Sequence, residues 1–223
     1  GIDSSTFRLG NITVANGSTE AYVASYSAVG NVVTYTIASP PTEWGAGPQG
    51  NYVVSLVANS VKDLAGNGVA AVAEFGSFIV DSIAPTATFD SGTNVNAATA
   101  TNTTTVTITY ADATSGVDTS TFGIGNITVD NGATVTGYSA VGNVVTYTIT
   151  APQSTWAAST QGTYTVAIVA GSVKDLVGNG IGAVSSAGSF SVDTVLPTAS
   201  FDSGTNVNAS TATNTTTVVI NYA

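Results

Sequence analysis

Residues Thr104–Tyr110 place β-branched and aromatic side chains on alternate positions, the period of a half-buried strand. Gly123–Val129, Thr134–Val141, Val144–Thr150, Tyr164–Ala170 and Ser189–Asp193 read the same way. With Thr86–Phe89 they make about seven strands. Asn131-Gly132, Gly142-Asn143 and Gly178-Asn179-Gly180 fall between these runs, and Asn206-Val207-Asn208 follows them. Gly-Asn and Asn-Gly pairs tolerate positive φ and mark tight hairpins. No segment carries helical periodicity. Short strands, evenly spaced and separated by turn signals, predict an all-β chain built as antiparallel β-sandwiches.

The pattern also repeats. Tyr26–Ala111 returns with substitutions as Tyr138–Ala223, carrying Trp44 to Trp156, Asp63 to Asp175, Asp81 to Asp193 and Pro85 to Pro197. Ser27–Ile37 recurs unchanged as Ser139–Ile149. Upstream, Phe7–Val14 matches Phe122–Val129, with three extra residues in the first copy near Ser18–Val23. A fixed period of this kind marks an array of similar units. The natural boundaries are Asp81-Ser82-Ile83-Ala84-Pro85 and Asp193-Thr194-Val195-Leu196-Pro197, where proline stiffens the join. Residues 85–196 are thus expected to form a complete domain. Residues 1–84 form one lacking its first two strands, and 197–223 supply those two strands of a further domain.

Two readings fit this phase. The chain is a stretch of a longer tandem array, Gly1 not being a natural translation start. Alternatively it is a subunit whose last strands complete a neighbour's first domain, by donor-strand complementation. Under either reading a hairpin at Ser203–Ala223 exposes apolar edges, and must find residues like 1–84 to cover it.

Composition narrows the partners. Only 7% of residues are charged, against about 25% in an average soluble domain, so Thr, Ser, Asn and Gly must cover the surface. Few lysines and many hydroxyls suit an extracellular setting. The net charge is −10 with three basic residues, Arg8, Lys62 and Lys174, which leaves no phosphate-neutralising surface and excludes nucleic acid and anionic membrane. Any partner that uses the charge is a cation. No cysteine is present, so no disulfide framework is expected. No signal peptide is visible, and no apolar run approaches the roughly 20 residues that span a bilayer. The chain has no histidine either, so the commonest general base and the thiol nucleophile are both missing. Glu20, Glu43 and Glu74 are not repeated in the second copy, and no active site is expected.

Val173-Lys174-Asp175-Leu176-Val177-Gly178-Asn179, followed by Ser189–Thr194 and Pro197-Thr198, resembles the D-x-x-G-N … F-x-V-D-x-x-x-P-T ending of bacterial Ig-like repeats. Phe122–Val129, Asn131-Gly132 and Thr146–Ile149 are similar to the centre of the same family. The resemblance implies tandem Ig-like domains of the kind that form stalks of large adhesins, fibres and surface layers, often with calcium at the joins. It leaves function open, because such repeats serve many surface proteins.

Ig-like topology places the end of one domain beside the loops after the second and sixth strands of the next. Asp81 is therefore expected to gather with Asp112, Asp118 and Asp175, with Asn179 adding an amide oxygen. Calcium takes six to eight hard oxygen ligands, and such a site would freeze the hinge. The competing reading makes Asp175 a cap for its own Asp-x-x-Gly-Asn turn and leaves the others solvated. Asp3 and Asp63 hold the matching places in the first domain.

Trp44 and Trp156, after Pro41 and Pro152, either stack on sugars of a bound glycan or plug the core. Six Asn-x-Ser/Thr sequons, at Asn11, Asn16, Asn102, Asn126, Asn208 and Asn214, are candidate glycosylation sites. The expectation is a structural segment of an extracellular filament or adhesin stalk that partners itself along a line. A carbohydrate-binding module is the alternative.

Overall fold

The computed structural model describes residues 1–40, 43–45, 47–211 and 215–223. Pro41, named above beside Trp44, and the Asn214 sequon lie outside these residues. The chain is all-β, and its helical elements are single 3-10 turns. The first repeat contributes strands β1 (Ile12–Asn16), β2 (Thr19–Val29), β3 (Val32–Ala38), β4 (Gly50–Leu56) and β5 (Val72–Val80). They form one curled antiparallel sheet in the order β3-β2-β1-β4-β5.

The second repeat contributes β6 (Thr86–Gly92), β7 (Val95–Asn96), β8 (Thr103–Ala111), β9 (Val117–Asp118) and β10 (Ile127–Val129), then β11 (Thr134–Val141), β12 (Val144–Thr150), β13 (Gly162–Ile168), β14 (Lys174–Asp175) and β15 (Val184–Asp193). These make two facing sheets, β11-β12-β8-β6 and β10-β13-β15-β7, with a small β14-β9 pair at one end. The last strands, β16 (Ala199–Gly204) and β17 (Val218–Tyr222), pair only with each other.

Alternation settles which faces are inside. Along β8 and β12 every second residue is buried, and Val106, Ile108, Tyr110, Val145, Tyr147 and Ile149 are fully enclosed. They join Trp156, Tyr164, Phe190 and others in one core spanning Val95 to Val192. The first repeat has a much smaller core of Ile12, Val14, Ala21, Tyr52 and Val80. Half-buried Tyr35, Ile37, Trp44 and Phe78 flank it.

One sequence expectation needs correction, and one insertion has a structural consequence. Gly123–Val129 was expected to be a strand throughout, but Ile124–Asn126 is a 3-10 turn and only Ile127–Val129 extends. The cause is Asn126, whose Oδ1 accepts from Gly123 N at 2.6 Å and coils the chain back on itself. The three extra residues near Ser18 change topology. They let β1 turn directly into β2 through Gly17-Ser18, pairing Asn16 with Thr19, with Gly17 at φ +58°. In the second repeat β10 and β11 lie in different sheets.

Candidate functional site

The join between the repeats gathers two half-buried aspartates and one buried one. β5 ends at Val80, and Asp81 enters the linker with its Oδ1 accepting from Ile83 N at 2.9 Å. Its other oxygen accepts from Ser115 N at 3.1 Å, and its main-chain carbonyl accepts from Asn179 Nδ2 at 3.0 Å. One residue of the first repeat is thus held by two loops of the second. Each loop is ordered by its own aspartate. Asp112 Oδ1 collects the amides of Thr114, Ser115 and Gly116 at 2.9–3.0 Å. Asp175 Oδ1 collects those of Val177, Gly178 and Asn179 at 2.7–3.0 Å.

These turns bring carboxylate oxygens of Asp81, Asp112 and Asp175 all within 4.8 Å of one another. Asp175 is 1% exposed. Burial pushes its carboxyl up, but the Asn179 side chain and the three amides outweigh that and hold it below the usual carboxylate range. Unit negative charges at this spacing repel by about 3 kcal/mol per pair at an effective dielectric of ~20. Ser115 Oγ, on the loop that bridges Asp81 and Asp112, is buried and has no hydrogen-bond partner.

A cation fits this geometry. Oxygens about 2.3–2.6 Å from one calcium ion cannot be more than about 5 Å apart, and the trio meets that limit. Hard carboxylate oxygens are also the ligands calcium prefers.

Two of the residues expected there are differently engaged. Asp118 is not part of the cluster; its carboxylate caps the following 3-10 turn, accepting from Ser120 N at 3.0 Å and Ser120 Oγ at 2.6 Å. Topology puts it on the right loop, but the Asp-x-Ser turn uses up its side chain locally. Asn179 reaches the site through nitrogen rather than oxygen. Nδ2 donates to both Asp81 O and Asp175 Oδ2, and a flipped amide would set its oxygen against two acceptors. Ser115, which fastens Asp81 to Asp112, carried no signal in the sequence beyond its place after Asp112.

The other candidates separate by burial. Trp156 is 2% exposed and packs edge-on against Tyr164 and Phe190, with centroids at 5.0 and 5.8 Å. It is therefore a core plug, unavailable to a sugar. Trp44 makes the matching edge contacts with Tyr52 and Phe78, but is only half-buried.

The sequons at Asn11 and Asn126 are corrected as well. Both side chains are buried and peg two loops together. Asn126 Nδ2 donates to Thr121 O and Ser172 O while its Oδ1 accepts from Tyr147 Oη. Asn11 does the same with Thr6 O, Ser60 O and Tyr35 Oη. A glycan on either nitrogen would break that peg. Asn16 is half-buried, donating to Gln49 O, and Asn102 and Asn208 are exposed.

Comparison of the chain with protein-family models, curated proteins and solved structures returned no match. Among the described residues no helix is long and apolar enough to cross a membrane.

Proposed function

We propose that the chain is a structural segment of an extracellular filament or adhesin stalk, made of tandem Ig-like β-sandwiches that meet at rigid joins. The observation that carries this reading is the grip of Ser115 and Asn179 on Asp81. A linker residue bonded to two loops of the next unit through both side chain and main chain cannot act as a free hinge. Repetition supports the same reading, because equivalent units joined in one fixed way propagate length. The sparse charge and the absence of cysteine suit a surface exposed outside the cell.

Calcium completes the join in this reading. Asp81, Asp112 and Asp175 would hold it, and the ion would offset their mutual repulsion while locking one unit to the next. At a dissociation constant of about 1 mM, usual for extracellular modules, about 10 mM calcium adds roughly 1.4 kcal/mol of stability.

Spin labels at Ser27→Cys and Ser139→Cys, equivalent exposed positions on the two repeats, test the rigidity in a chain without native thiols. A narrow distance distribution is expected. A broad one sinks the rod reading. Calcium should raise the thermal midpoint, and Asp112→Asn should abolish the rise. No rise in the parent chain removes the ion but leaves the protein-held join.

A further inference from the structure

The first repeat is open where the second is closed. Ile2, Phe7, Ile12, Val33, Tyr35 and Val54 line an apolar groove of about 610 Å³. Their counterparts in the second repeat (Val117, Phe122, Ile127, Val145, Tyr147 and Val166) are all buried in one core. There the space is filled by β8, whose Val106, Ile108 and Tyr110 are fully enclosed. β8 also pairs along the outer edge of β12, with Val145 opposite Ile108 and Tyr147 opposite Val106. The matching strand β3 is the edge of its sheet and has no such neighbour.

The missing filler exists elsewhere in the chain. β16 and β17 repeat β6 and β8, and they already hold the same shape. Phe201 opposes Ile220 as Phe89 opposes Ile108, each pair followed by a register shift at the same place. Thr205 and Thr217 join hydroxyls at 2.8 Å, as Thr93 and Thr105 do at 3.0 Å. Yet the apolar face of this hairpin meets solvent: Phe201 is 67% exposed, Val218 59% and Tyr222 76%.

A glycine supplies a third, separate sign. A Cβ on Gly188 would fall into the ring of Phe89, which sits flat on that strand. Gly76, its equivalent, has nothing within 4 Å. The first repeat keeps a seat for a phenyl ring that none of its described residues occupies.

We propose that the groove of residues 1–84 is a docking site for the 198–223 hairpin of a second copy of this chain. The proposal rests on the reading of the chain as a unit of a line, and names what joins to what. β17 of one copy lies antiparallel along β3 of the next, Ile220 opposite Val33 and Val218 opposite Tyr35. Phe201 covers Gly76. The Tyr222 hydroxyl reaches that of Tyr35, as Tyr110 reaches Tyr147 at 2.8 Å. Donor and acceptor surfaces are different parts of one chain, so the contact is heterologous and grows into lines rather than closing as a two-fold dimer. Unpaired strand edges and buried apolar area supply the affinity.

The test uses the 223-residue chain, which has no cysteine to interfere. Thr107 and Thr146 hydroxyls lie 3.3 Å apart across β8 and β12, which makes Val219 and Thr34 the equivalent pair. Mixed single variants Thr34→Cys and Val219→Cys should form a disulfide-linked heterodimer under mild oxidation, and Thr36→Cys with Val219→Cys should not. Sedimentation of the parent chain should show a ladder of oligomers that lengthens with concentration. Gly76→Ala, whose added Cβ meets nothing within 4 Å in a single copy, should weaken association by about tenfold or more while leaving the monomer's thermal midpoint in place. A chain that stays monomeric at every concentration overturns the proposal. So does a Thr34→Cys/Val219→Cys double variant that closes within one chain at high dilution, since the hairpin then fills its own groove. The spin-label distance between repeats lies within one copy, so the rod reading can fail while this contact stands, or the reverse.

Discussion

Ser27–Ile37 and Ser139–Ile149 are the same eleven residues in two settings. Both fold into the same hairpin arm. Tyr26 pairs with Tyr35 and Val29 with Val32 in one, and Tyr138 with Tyr147 and Val141 with Val144 in the other. Gly30 and Gly142 take nearly the same positive φ, +60° and +58°, in the first position of a two-residue turn that suits glycine. Burial is where they part. Val145, Tyr147 and Ile149 are fully enclosed, whereas Val33, Tyr35 and Ile37 are half-exposed. Pairing and turn are local and follow the sequence. Enclosure depends on β8, which only the second copy has beside it.

The largest expected consequence is in stability. Ile149→Ala should cost about 2–5 kcal/mol, the range for emptying a closed core site. Ile37→Ala should cost less, about 1–2 kcal/mol, because that side chain only flanks its core and water reaches part of it. Denaturant unfolding of the full chain should show the first repeat melting before the second. Equal losses at the two positions would mean that the groove is closed in solution and would break the comparison.

This division explains how much was legible. The seven strands of the second repeat longer than two residues all lie on runs that alternate in the sequence. Ig-like topology placed Asp81, Asp112 and Asp175 at one join, because it sets the end of one domain beside the second- and sixth-strand loops of the next. Three features escaped. Asn126 looked like a strand residue with a sequon, and its role as a loop peg depends on Ser172 and Tyr147, distant in sequence. Asp118 looked equivalent to Asp112, but Ser120, two residues on, captures it. The two-residue strands β7, β9 and β14 are too short to leave a period. Ile37 and Ile149 are indistinguishable by any local rule, so only the inventory of neighbouring strands separates them.

A middle-sized effect sharpens the same contrast from the other side of the sheet. Gly188→Ala should destabilise the second repeat by about 1–3 kcal/mol, the usual cost of forcing extra volume into a packed site. The ring of Phe89 lies against Gly188 and Gly92, so the added methyl would have to displace it. Gly76→Ala should be close to neutral in dilute monomer, where nothing meets the added methyl. If Gly76→Ala destabilises equally, a phenyl ring already covers that strand. Running both variants at low and high protein concentration separates an intrachain cover from one brought by another copy.

The smallest effect concerns the repeated Asp-x-x-Gly-Asn turn. Asp63 accepts from Ala65 N, Asn67 N and Asn67 Nδ2, much as Asp175 accepts from its own turn. The Asn67 side chain and its amide hold Asp63 below the ordinary carboxylate range, as the Asn179 side chain and its neighbours do, against burial, for Asp175. A carboxyl lowered by folding stabilises the folded state above its unfolded value of about 4, and that contribution disappears as pH falls through the folded value. Stability should therefore decline below about pH 4 through both residues. Water reaches the half-buried Asp63 more than the enclosed Asp175, so Asp175→Asn should flatten the acid limb more than Asp63→Asn. At pH 7 Asp175→Asn should change stability little, since an amide nitrogen would then face Asn179 Nδ2 while the repulsion from Asp81 and Asp112 would be relieved. Thermal midpoints of the parent and both variants at pH 7 and pH 3 decide it. Equal flattening by the two variants would mean that the turn alone, and not its burial at the join, sets the acid response.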